Sequence, residues 1–225
     1  MTNLFKKFFF KVGEDIIKNS NSIKILGTII QSDLKMDKTI NKICSELHNK
    51  IDNIRKITPY TNFTTRSRFL NAFVIGRLNY MTQIFSLYTQ ENLQKIHKVI
   101  MTAARAAIGN YCYKKSIGYI LSKCKWFDIQ DMILLSSLNT IHKVFHKRKP
   151  PSMVSLYRIN TNERKVKHLA TKYIPLTTKM KNFYIYKYTK IYNGLDQYIK
   201  DKTYKGFKNE MKLIIRAGTI SDSMD

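Results

Sequence analysis

Acidic residues are scarce in this chain: 15 Asp and Glu stand against 40 Lys and Arg, a formal net charge of +25. The only adjacent carboxylates are Glu14-Asp15, which follow Gly13 in what reads as a hairpin turn. Two-metal phosphoryl chemistry needs clustered carboxylates to hold its ions, so a nuclease has no visible seat here. Glycine is sparse as well. The eight glycines form no phosphate loop, dinucleotide fingerprint or Gly-x-Ser-x-Gly elbow. Three cysteines, Cys44, Cys112 and Cys124, are odd in number and widely spaced. They argue against a secreted disulfide framework and for a reducing, intracellular compartment, cytoplasm or nucleus. No apolar run approaches the ~20 residues of a membrane span, and Lys6-Lys7 before Phe8-Phe9-Phe10 is too short for a signal-peptide core. Nothing in the pattern asks for a cofactor or a small-molecule substrate.

What the chain does have is positive charge, which speaks to partners and not to fold. A polyanion, nucleic acid or an anionic membrane surface, is the natural partner. A/T-rich coding would raise Lys together with Ile, Asn, Tyr and Phe, but would not by itself keep acidic residues scarce. The excess is spread along the chain: +5 over residues 1–60, +5 over 61–110, +6 over 111–150 and +9 over 151–225. No block of like charge is long enough for a basic tail, so the cations belong on folded elements. The rival is a basic interaction protein without a nucleic-acid role, binding protein or anionic membrane. Trp126, the only Trp, falls between helices and does not favour the membrane.

Hydrophobic periodicity predicts a β-hairpin and strand over about 5–30, with Phe8 to Val12 turning at Gly13. Ser22 to Ile30 reads as a β-branched strand with Gly27 in its middle, where a bulge or a close backbone approach is needed. Asp37 is the expected N-cap of a helix whose stripe is Ile40, Ile43, Leu47, Ile51 and Ile54. Helices are predicted near 38–57, 65–87, 90–108, 116–123, 129–147 and 203–216. Pro59, Gly109 and the run Lys147-Arg148-Lys149-Pro150-Pro151 serve as stops. From about 158 the pattern weakens, and Tyr/Ile alternation around 184–192 reads as a half-buried strand, or as aromatics that stack unpaired bases.

Two helices matter for function. Near 90–108, Leu93, Ile96, Ile100, Ala103 and Ala107 share one face, while Lys95, Lys98, Thr102 and Arg105 fall opposite. The basic face is either ordinary solvated surface or a contact for backbone phosphates, which position a nucleic acid without reading it. Near 129–147 the helix is apolar almost all round and should lie at the centre of the bundle. His142 and His146 share a face, with Cys112 and Cys124 upstream, but the cysteine spacing is wrong for a finger. They read as polar residues closing a buried helix, with no metal. Lys147-Arg148-Lys149 is either a nuclear import signal or, better, favourable charge at a helix C-terminus.

Several short motifs occur in an order that resembles the C-terminal part of non-LTR (LINE-like, jockey-like) retrotransposon reverse transcriptases. Lys24-Ile25-Leu26-Gly27 and Leu34-x-Met36-x-x-Thr39-Ile40 resemble the primer-grip strand and the start of the thumb helix. Leu78-Asn79-Tyr80, Ala104-Arg105 with Ile108-Gly109, and Lys125-Trp126-Phe127-Asp128-Ile129 follow, the last with lysine where the family pattern has glycine. Tyr186-Lys187, Ile191-Tyr192-Asn193-Gly194-Leu195 and Phe207-Lys208-x-x-Met211-Lys212 resemble the closing stretch. The resemblance implies a mainly α fold: a thumb-like helical bundle with an N-terminal β-hairpin and strand and a small mixed C-terminal extension. It implies an end-of-palm hairpin and primer-grip-like strand over 1–36, a helical thumb-like domain over 37–157 and a basic extension over 158–225. The family is an RNA-directed DNA polymerase, and its catalytic carboxylates lie N-terminal to the primer grip. The chain is therefore expected to begin past the active site and to be inactive alone, while contacting RNA or DNA duplex non-specifically. An upstream palm and fingers portion is a further possible partner. Lys24 and Gly27 face the primer on this resemblance; Lys95, Lys98 and Arg105 are the phosphate contacts on helix geometry.

Overall fold

In a computed structural model of the chain, the residues described are 9–18, 20–25, 27–33, 36–85, 88–109, 115–146, 151–161, 167–171 and 184–218. Leu26, Leu34, Cys112, Phe183 and the run Lys147 to Pro150 lie outside them. The described chain is mainly helical, with antiparallel hairpins at its N-terminal end.

Strands β1 (Phe9–Val12) and β2 (Asp15–Lys18) pair with Val12 opposite Asp15, so Gly13 and Glu14 form the turn, Gly13 at φ +63°. Strands β3 (Ser22–Ile25) and β4 (Thr28–Gln31) make a second hairpin with Ile25 opposite Thr28. Gly27, at φ +84°, is therefore a turn residue and not the middle of one strand. Two-residue hairpin loops need positive φ, which glycine supplies without steric cost. The β-branched residues on both sides that suggested one strand are the two arms of the hairpin.

Helix α1 (Asp37–Lys56) buries Ile40, Ile43, Leu47, Ile51 and Ile54 as its spacing predicts. Asp37 is not its N-cap. Met36 holds that position in the left-handed region at φ 61°, while Asp37 begins the helix and accepts a hydrogen bond from Asn92 Nδ2 at 2.7 Å. The neighbouring helix has claimed the carboxylate. Thr39 Oγ1 locks α1 to the second hairpin, donating to Ile29 O at 2.6 Å and accepting from Ile29 N at 2.9 Å.

After a 3-10 turn at Thr58–Tyr60, α2 (Phe63–Leu70) is capped by Asn62, whose side chain accepts from Thr65 N. It runs through a π turn (Asn71–Ile75) into α3 (Gly76–Phe85). Helix α4 (Gln90–Ile108) ends at Gly109 with φ +97°. Helix α5 (Ile117–Cys124) and α6 (Ile129–Phe145) follow, capped by Ser116 and Asp128. Between them Lys125 sits in the left-handed region at φ 57°, and the Trp126 amide donates back to Leu121 O.

Helix α4 packs against α1, α2, α5 and α6. Helix α6 is buried nearly all round, as its composition predicts: Ile129, Ile133, Leu138, Ile141, Val144 and Phe145 are all inside.

The C-terminal elements are α7 (Pro151–Val154), the hairpin β5 (Tyr157–Thr161) with β6 (Lys167–Thr171), α8 (Tyr184–Gly194), α9 (Gln197–Lys200) and α10 (Tyr204–Arg216). The expected strand around 184–192 is helix α8. Its apolar residues return at Tyr188, Ile191 and Tyr192, with Leu195 just past its end, a spacing of three and four that outlasts the short alternation. Asn193 ties α8 to β6, donating to Leu169 O at 2.8 Å and accepting from Leu169 N at 3.0 Å. Both α8 and α10 pack on α6, and one continuous core runs from Met36 to Ile215.

The histidine pair belongs to that core. The His142 ring stacks on Phe207 at 4.0 Å, with Nδ1 3.1 Å from the Tyr192 hydroxyl, and His146 Nε2 lies 2.9 Å from Lys200 O. Among the described residues no three His, Cys, Asp or Glu side chains are placed to share a metal ion.

Candidate nucleic-acid interface

Three basic regions emerge, two expected and one not. On the second hairpin Lys24 is exposed, and the position a Cβ would take at Gly27 lies 3.9 Å from Arg77 Nη2 on α3. Sequence spacing did not link Arg77 to this turn, because the two are 50 residues apart and meet only through packing.

On α4 the three basic residues differ in freedom. Lys95 is held, 3.4 Å from Glu91 Oε1 and 3.5 Å from Asn41 Oδ1. It also lies near Cys44, whose thiol burial pushes up and Lys95 pulls back down. Lys98 is exposed. Arg105 is half-buried, and its Nε is closed off from solvent without a hydrogen-bond partner among the described residues. At about 100° per residue Lys98 and Arg105 lie nearly in line, two turns apart, with Lys95 rotated by about 60° from Lys98 toward α1. Because α4 packs against four other helices, little of its surface is left for the basic face.

The third region is a groove of about 470 Å³ between the π turn and α3, helix α6, helix α10 and the α5–α6 connection. Each helix gives it one face at spacings of three and four: Asn71, Ile75 and Asn79; Ser136, Asn139, Thr140 and Lys143; Tyr204, Lys208, Lys212 and Arg216. Five cations line it, Lys125, Lys143, Lys208, Lys212 and Arg216, and none of its described lining residues is acidic. Aromatic rings steer two of these. Lys143 Nζ stands 4.3 Å from the Tyr204 ring centre, and the Arg216 guanidinium lies 5.1 Å from that of Phe127 while donating to Lys125 O at 3.3 Å. The one carboxylate of α10, Glu210, is occupied by Lys202 at 2.6 Å.

The signal for this groove was in the sequence. Phe207, Met211 and Ile215 mark the buried face of α10, and Tyr204, Lys208, Lys212 and Arg216 recur every fourth residue on another. What spacing could not provide was the helix that faces them.

Comparison with family models, curated proteins and solved structures found no match. Among the described residues no helix is long and apolar enough to cross a membrane.

Proposed function

We propose that the chain is a non-catalytic nucleic-acid-binding element, the primer-grip, thumb and C-terminal part of a non-LTR reverse transcriptase-like protein, holding template–primer by its backbone. The observation that carries the reading is the distribution of its +25 charge: cations line strips and a groove on folded elements from which carboxylates are missing or already paired. Such surfaces suit phosphate, where contacts position the polymer and do not read its sequence. The resemblance gains support at Lys125. The family pattern has glycine there, and Lys125 takes a left-handed backbone, φ 57°, that glycine favours.

A salt titration tests the reading. With about 5–8 phosphate contacts, affinity for duplex falls roughly 10³-fold between low and moderate salt, and scrambled duplexes of equal length bind alike. Weak salt dependence, or no binding at low salt, defeats it. The purified chain is also expected not to extend a primer, since no carboxylate cluster able to hold a metal ion stands among the described residues; templated incorporation above a buffer control overturns that.

A second reading, a protein-docking module, has one observation in its favour. Ile23, Ile25, Phe69 and Phe73 are large apolar side chains left 42–58% exposed. A partner such as an upstream palm would cover them.

A further inference from the structure

We infer that the groove between α3, α6 and α10 is a single-strand site, taking the sugar-phosphate backbone of an unpaired polynucleotide one or two nucleotides at a time. The inference rests on the nucleic-acid reading above and deepens it by placing the strand.

Shape selects the ligand. A volume of about 470 Å³ suits a nucleotide unit, and the groove is a concave slot walled by helices. A groove of that volume holds only a small part of a polynucleotide, which suits a flexible single strand better than a stiff duplex. The cations suit phosphate: Lys208, Lys212 and Arg216 follow one another at one-turn intervals along one wall, with Lys143 on the other.

The lining offers more than charge. Tyr204, Phe127 and Trp126 line the groove among these cations, and a positive groove interleaved with aromatic residues is how single strands are held.

The test uses the full chain and three probes at one low salt concentration: a labelled 12-nucleotide oligouridylate, a blunt 20-base-pair duplex and inorganic phosphate. Lys208→Gln with Lys212→Gln is expected to weaken oligouridylate at least 10-fold and to flatten its salt slope by about 1.4, two phosphate contacts at ~0.7 each. Duplex binding should change less than 3-fold. The inference is overturned if the double variant binds oligouridylate like the wild type, if duplex suffers as much as single strand, or if phosphate or free uridine monophosphate competes as well per mole as the oligonucleotide. Wild-type chain that binds no nucleic acid at all overturns the broader reading instead. Duplex binding with no single-strand binding overturns this one alone.

Discussion

Arg66 shows how much one side chain can settle. It is 8% exposed, and its guanidinium donates to Ala107 O at 2.9 Å, to Thr58 O at 3.2 Å and to Thr61 O. Those carbonyls include the C-terminal end of α4, where a cation is favoured by the helix dipole. Gly109 closes the same corner: a Cβ there would sit 3.7 Å from Arg66 Nη2 and its φ is +97°. Arg66→Met is expected to lower the unfolding free energy by about 2–4 kcal/mol, because three carbonyls are deprived of a charged donor. Arg66→Lys restores charge without the planar fork and should recover only part of it. Urea melts of the three proteins decide; equal midpoints would mean the corner is held by packing alone. None of this was readable in advance, since an arginine inside a helix looks like surface until its carbonyl partners are known.

At the scale of the element, periodicity was a good guide wherever a helix had one wet and one dry face. The stripe of α1 and the buried girth of α6 stand where the spacing put them. It misled where the dry face was short. Tyr184 to Tyr188 alternates like a strand, and only Tyr192 and Leu195, one and two turns on, reveal α8. Gly27 misled for a different reason: a hairpin turn and a strand kink both want glycine, and the register that separates them is a property of pairing. The α4 strip can be tested apart from the groove. Changing Lys95, Lys98 and Arg105 together to glutamine keeps helix propensity nearly constant. It should lower the duplex salt slope by about 0.9 for each phosphate no longer neutralised, with stability shifted by under about 0.5 kcal/mol at the exposed Lys98. Ile100→Asp, placing a charge in the core, is the unfolded control. A folded triple variant that binds duplex like the wild type would show the strip to be plain solvated surface.

For the molecule as a whole, the buried titratable groups set an alkaline stability profile. Burial pulls the Lys200 ammonium below the ordinary lysine range, with Asp196 and Asp201 opposing, and its Nζ donates to Asn193 O at 2.9 Å. Burial pushes Tyr188 up to about 12 and raises Tyr88 and Tyr192 too, the last helped by Asp201. For Lys200 the unfolded chain binds the proton more readily, so stability is lost as pH falls below ~10.4 through the folded value, and is regained on the way up. For the tyrosines the folded chain holds the proton longer, so their contribution is whole below ~10 and disappears as pH rises through the folded values. Thermal midpoints should therefore climb as pH rises through the lowered Lys200 value toward ~10 and drop beyond it. Lys200→Met should flatten the climb and leave the drop in place; a parallel shift of the whole curve would instead implicate net charge alone.

Helix α6 packs against two sets of partners, α3 and α4 made before it and α8 and α10 made after it. The sets are far apart in time as well as in sequence. When a ribosome has made α6, its first partners already exist, but the roughly 70 residues through α10 take another ~4–14 s at ~5–20 residues per second. Throughout that interval His142, Phe145 and the rest of the face that meets α8 and α10 have nothing to lie against. The nascent chain is thus most prone to aggregate just before it is finished. A version stopped at residue 157 should stay in that condition permanently, binding a hydrophobic dye and precipitating at concentrations where the 225-residue chain stays clear.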